Sequence, residues 1–212
     1  MFSFSSQFTP EARERVESAI AQAETRTSAE IVVAAAPASG RYDRPEDIAG
    51  LLLATVLLAV FSAFQPEYFE FAAAVTILFV GFFAGVGIAM YVPPLRRVLT
   101  PREQMLQETT RAAEALFYKL EMRRSASRCG VLLYISFFER TASVMADQTV
   151  LDVLGQDGID ALCTELTEAL KAVPPAEAIA SIVETAGARL AESLPRADDD
   201  TDELPNQFLV LS

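Results

Sequence analysis

The sequence predicts an α/β domain, a small mixed β-sheet flanked by helices, with a transmembrane helical hairpin inserted into it. Three observations carry this. Two apolar runs without a charge, residues 48–64 and 71–92, stand six residues apart. Strand-like runs rich in Val, Ile and Leu lie on either side of them, at residues 30–36 and 129–138. Elsewhere, apolar residues recur three and four apart, the spacing of amphipathic helices.

In chain order, Thr9-Pro10-Glu11 opens the first helix. Thr9 accepts from an orphan amide, Pro10 suits the first helical position, and Glu11 complements the dipole. Val16, Ala19, Ile20 and Ala23 make its apolar stripe. Residues 30–36, ended by Pro37, read as a strand buried on both faces. A polar connector leads to the hairpin.

At about 1.5 Å per residue, the second apolar run can cross a hydrocarbon core of roughly 30 Å; the first sits at the lower limit of about 17 residues. The short link between them allows only antiparallel neighbours. Arg41 and Arg44 precede the hairpin and Arg96, Arg97 and Arg102 follow it, whereas the link carries only Glu67 and Glu70. The positive-inside rule then puts both flanks, and both termini, in the cytoplasm of a plasma or inner membrane. Tyr68, Phe69 and Tyr91 fall at interfacial depth. Gly81 and Gly85 lie one turn apart in the second span and allow close helix packing, either within the hairpin, the favoured reading, or between copies in a homo-oligomer. Neither span holds an ionisable residue, which argues against transport.

After Pro93-Pro94, Thr100-Pro101-Arg102-Glu103 reads as a capping box for a helix running to about Glu121, with Leu106, Thr109, Ala113, Leu116, Phe117 and Leu120 on its apolar face. Arg123, Arg124 and Arg128 form a basic patch that reads first as a solvated connector and, as the alternative, as a contact for lipid phosphates or an acidic partner. Residues 129–138 read as a central strand, Glu139-Arg140-Thr141 as a tight turn, and residues 142–147 as an antiparallel return. Two helices follow, striped by Ile159, Leu162, Cys163, Leu166 and Leu170 and by Ile179, Ile182, Val183, Ala186, Leu190 and Leu194. Residues 195–212 form an acidic tail whose last apolar residues, Phe208 to Leu211, suit a docked segment, an added edge strand or a loose end alike. The predicted boundaries are therefore 1–47 and 93–194 for the two parts of the domain, 48–92 for the hairpin and 195–212 for the tail.

Composition narrows function. The net charge of −12 excludes a nucleic-acid face. The absence of histidine removes Ser-His-Asp and Cys-His catalysis and His-ligated zinc. Cys129 and Cys163 have no metal-like spacing and read as reduced, buried residues. The N-terminus has no basic and apolar signal-peptide pattern, so the first span is expected to serve as the targeting signal. Glu30, Glu139 and Asp147 fall at strand ends, where carboxylates can gather a hard cation, Ca²⁺ or Mg²⁺. No nucleophile elbow or phosphate-cradling glycine loop accompanies them, and Ser136 lies inside a strand.

Several segments occur in an order that resembles a known family: Phe8-Thr9-Pro10-Glu11, Arg26-Thr27-Ser28-Ala29-Glu30-Ile31-Val32, Gly130 through Ser136, Phe138-Glu139-Arg140, Ala146-Asp147 and Asp202-Glu203-Leu204-Pro205-Asn206. The chain is similar in them to bacterial membrane proteins with a TPM domain interrupted by two membrane helices. The resemblance implies a TPM-like fold over nearly the whole chain. The family includes proteins implicated in photosystem II repair and a branch described as acid phosphatases. It thus implies a membrane-anchored binding, assembly or quality-control module for membrane protein partners or, as the alternative, a metal-dependent phosphatase-like hydrolase. The chain departs from the family where Asp147 is followed by Gln148-Thr149 rather than a basic residue and glycine, and where Leu120-Glu121-Met122 lacks a histidine.

Overall fold

A computed structural model of the chain describes residue 4 and residues 8–42, 44–64, 70–120, 129–196 and 208–211. Arg123, Arg124 and Arg128, residues 65–69 of the link between the apolar runs, and the acidic stretch 198–203 lie outside the described residues. The chain divides into two compact units, Met1–Ser39 with Leu106–Ser212, and Gly40–Met105.

The first unit is mixed α/β. Its strands are β1 (Glu30–Ala36), β2 (Gly130–Ser136), β3 (Thr141–Ala146) and β4 (Phe208–Val210), in the order β3-β2-β1-β4. β1 and β2 are parallel, from Glu30↔Gly130 to Ala36↔Ser136; β2 and β3 are antiparallel. Every residue of β1 and β2 is buried, which is what continuous apolar runs require of a parallel pair covered on both faces. Of the readings open for the C-terminus, the added strand forms. β4 lies parallel to β1, and Leu211 N donates to Ala35 O. Phe208 brings its ring edge-on to Phe8, with centroids 4.8 Å apart, and Phe8 also meets Phe137.

Strand alternation sorts the core into two layers. Ile31, Val33 and Ala35 join Val131, Leu133 and Ile135 on one face. There they meet α1 (Pro10–Glu24), α6 (Gln148–Ala172) and α7 (Pro175–Ala191). Val32, Ala34 and Ala36 join Leu132 and Tyr134 on the other, under α5 (Arg102–Lys119). Thr9 caps α1, accepting from Ala12 N at 3.3 Å. The Thr9 hydroxyl also holds Glu11 below the usual carboxylate range. α7 crosses α1 so closely that a Cβ on Gly187 would stand 2.5 Å from that of Ala23.

Local details differ from the sequence reading. Thr100 does not open α5; its hydroxyl donates to Arg96 O at 2.8 Å and closes the preceding turn, so Pro101 O accepts the first bond of α5, from Met105 N. The buried row of α5 is Met105, Thr109, Ala113 and Phe117, at four-residue spacing, and Leu106 stands exposed. α6 contains a helical first segment that periodicity did not reveal, because Gly155 breaks the helix at φ 66°. Cys129 and Cys163 are free thiols. Cys163 donates to Ala142 O at 3.1 Å; burial pushes its pKa up, as does the charge of Asp160, while a backbone hydrogen bond at Val144 opposes them.

The second unit holds α2 (Arg44–Phe64), α3 (Phe71–Tyr91) and α4 (Pro93–Leu99). α2 begins before its apolar run, because Pro45, Glu46 and Asp47 all suit a first turn. Arg96 of α4 reaches back to it, with Nε 3.2 Å from Tyr42 O and 3.3 Å from Glu46 Oε1. α2 and α3 are each long and apolar enough to cross a membrane.

Replacing Gly187 by Val should destabilise the first unit by about 1–3 kcal/mol, because the α1 and α7 backbones must separate. Urea denaturation of the chain in mild detergent, followed by circular dichroism, measures this.

Candidate functional site

Glu30 starts β1 and Asp147 directly follows β3. Between them lies Gly130, which pairs with Glu30 and accepts from Asp147 N at 2.9 Å. Strand alternation turns both carboxylates toward the α5 face, on either side of a residue with no side chain. Both are buried, at 6% and 7% exposed. Asp147 caps α6 through Oδ1, which accepts from Gln148 N at 2.7 Å; its Oδ2 is buried with no hydrogen-bond partner among the described residues. Nearby in sequence, Glu24 is also buried and accepts from Ile31 N at 2.9 Å, and Arg196 donates to Glu24 O.

Glu139 is elsewhere. It sits in the β2–β3 turn, at the opposite end of the sheet, roughly 20 Å away along strands that rise about 3.3 Å per residue. Its Oε1 accepts from Ser39 N at 2.8 Å and its Oε2 accepts from Ser136 Oγ. Ser39 Oγ donates to Ser136 Oγ at 2.8 Å. Ser39 thereby spends its single proton, so across the 3.1 Å contact Tyr134 donates to Ser39. A chain of hydroxyls, Tyr134 to Ser39 to Ser136, therefore ends on one buried carboxylate. Burial raises the Tyr134 pKa, and the charge of Glu139 adds to it.

The expected gathering of Glu30, Glu139 and Asp147 around one cation does not occur. Parallel pairing brings the start of β1 to the start of β2, whereas the turn leaves from the end of β2. Among the described residues no three acidic or cysteine side chains are grouped as metal ligands. Of the three acids only Glu30 and Asp147 share one end of the sheet, with Gly130 between them. Ser39 and Tyr134 were not singled out in the sequence; the signal available was that Tyr134 and Ser136, two apart, share a face.

In the second unit, Gly81 and Gly85 both face α2. A Cβ on Gly85 would lie 2.6 Å from Ala49 O, and one on Gly81 would lie 2.7 Å from Ala54 Cα. Gly50, which the sequence reading passed over, completes the seam: its Cβ would lie 2.8 Å from Phe82 O. Since residues 49–50 meet 82–86 and residue 54 meets 81, the helices run antiparallel.

No family model and no curated protein matches the chain. Among solved structures, its fold is similar to the NMR structure of the BA42 protein from the psychrophilic bacterium Bizionia argentinensis. The TM-score is 0.61 at 20% identity, covering 99% of this chain and 97% of that one. The likeness is one of fold.

Two outcomes follow from these contacts. Glu139→Ala should cost about 1–3 kcal/mol of stability by stranding Ser39 N and Ser136 Oγ, with Glu139→Gln losing less, in denaturant titrations. Gly85→Leu should destabilise the helix pair by about 1–3 kcal/mol in mixed-micelle SDS unfolding, while Gly87→Leu, which meets open space, should not.

Proposed function

We propose that the chain is an integral membrane protein. In this reading α2 and α3 cross the bilayer as a hairpin, and a TPM-like α/β unit faces the cytoplasm as a binding or assembly module for membrane protein partners. One observation carries the membrane reading. Away from the glycine seam the two helices are bare: only 17% and 11% of their most apolar windows are buried, and Leu51, Phe64, Phe71, Phe79 and Phe83 are all more than half exposed. In water this would be an apolar patch far beyond the few hundred Å² that monomers usually leave open.

Hydrogen bonding agrees with lipid as the solvent. The hydroxyls of Thr55, Ser62 and Thr76 donate to carbonyls of their own helices, at Leu51, Ala59 and Ala72. Both helices thus carry their side-chain hydroxyls into the bilayer already satisfied. The flanking arginines support a cytoplasmic orientation, and the lack of charge within the spans supports an anchor over a conduit.

A second reading, a Ca²⁺- or Mg²⁺-dependent phosphatase-like hydrolase, is favoured by the unpartnered Asp147 Oδ2 beside Glu30. A cation there would use an oxygen that otherwise stands buried and unsatisfied.

The protein should stay with the membrane pellet through a carbonate wash and leave it in detergent. A Glu67→Cys variant should react with an impermeant maleimide from outside intact cells. Recovery in the aqueous fraction overturns the anchor, and labelling from the cytosolic side alone overturns its orientation. Cross-linking in native membranes should capture integral membrane proteins. For the second reading, millimolar Ca²⁺ or Mg²⁺ should raise the melting temperature, and any release of phosphate from nitrophenyl phosphate should vanish in Asp147→Asn. A preparation with neither response excludes it.

A further inference from the structure

We propose that the first unit carries a binding pocket for a small amphipathic anion: an aryl or short acyl group bearing a phosphate or carboxylate. A cavity of about 340 Å³ opens where the β2–β3 turn meets the end of α6 and the start of α7. Ile135, Phe137, Leu170 and Pro175 make its apolar wall, and Arg140 and Lys171 are its cations. The volume is at the small end of ligand sites, about 300–1,000 Å³.

The chain as a whole is acidic, yet positive charge converges on this cavity. Arg140 pairs with no carboxylate among the described residues. Lys171 touches Glu168 at 2.6 Å, but both side chains are more than half exposed, so solvent screens that pair and an incoming anion can compete for the ammonium. Pro175 is the first residue of the 17-residue α7, so the positive end of that helix faces the same space. The acid of its first turn, Glu177, lies 3.7 Å from Arg15.

Arg140 is also held there against its backbone preference. Its φ is +53°, a conformation that glycine or asparagine adopts more readily than a long side chain. The neighbouring turn residues leave it little freedom. Phe137 N and Phe138 N donate to Ala36 O and Pro37 O, and Glu139 is clasped by Ser39 and Ser136. The hydroxyl chain, whose Ser136 also lines the cavity, thus ties down the turn from which Arg140 reaches it. The backbone that carries the guanidinium is set before binding, so a ligand has only the side chain's own torsions to order. Strain retained at a turn, beside an apolar cavity with a second cation, is the arrangement of a ligand clamp.

The pocket lies wholly within the first unit, so its test does not depend on the membrane reading. The full chain in neutral detergent is titrated by calorimetry with phenyl phosphate, benzyl alcohol and inorganic phosphate. Phenyl phosphate should bind saturably, about tenfold or more tighter than either of the others, because it engages wall and cations together. Arg140→Gln and Lys171→Gln should each weaken it about fivefold or more, and added salt should weaken it further. Arg140→Gly should raise the melting temperature while losing the affinity, which separates a ligand role from a structural one. Equal binding of benzyl alcohol and phenyl phosphate, an unchanged affinity in Arg140→Gln, or no saturation by about 10 mM phenyl phosphate overturns the proposal.

Discussion

The pairing of β1 with β2 is the constraint on which the first unit depends. Residue 30 must find residue 130, and the two strands are buried on both faces along their whole length. A parallel pair needs a crossover and needs helices on both sides. α1, α6 and α7 cover one side and α5 the other. The long intervening sequence is tolerated because closure entropy grows only logarithmically with length. The same register gives the sheet two chemically different ends. Glu30 and Asp147 flank Gly130 at one; a turn tied down by hydroxyls stands at the other.

Those two ends handle buried carboxylates in different ways. A buried acceptor must be hydrogen-bonded or it costs stability. Glu139 meets that demand fully, with one backbone amide and one hydroxyl, and its reward is a rigid turn. Asp147 meets it by half, capping α6 with one oxygen and leaving the other without a partner among the described residues. The satisfied end ties down the turn that carries Arg140; the half-satisfied end is the observation behind the proposed cation reading.

Read as a membrane hairpin, the second unit follows other rules. In hydrocarbon, burial of apolar surface gives two helices no reason to associate, and close packing of small residues takes its place. Gly50, Gly81 and Gly85, with Ala49 and Ala54, bring the α2 and α3 backbones into contact. Outside that seam the exposed large side chains of residues 48–64 and 71–91 are apolar, among them Leu51, Phe64, Phe71, Phe79 and Phe83, as the proposed lipid-facing surface requires.

By itself the sequence determined what local pattern can encode. Continuous apolar, β-branched runs marked β1 and β2, and a period of 3.6 marked the stripes of α1 and α7; Thr9-Pro10 marked a cap; uncharged length marked two helices fit for a membrane. Even locally, competition misled: the Thr100 hydroxyl serves the carbonyl behind it rather than the helix ahead. Only tertiary structure decided which strand ends meet, and so parted Glu139 from Glu30 and Asp147. It also decided that Phe208 pairs beside β1, that Gly50 faces Phe82, and that Arg140, across a turn of positive φ, shares a cavity with Lys171. Periodicity records which face of an element is apolar; it carries no record of register or direction, and those alone set which side chains become neighbours.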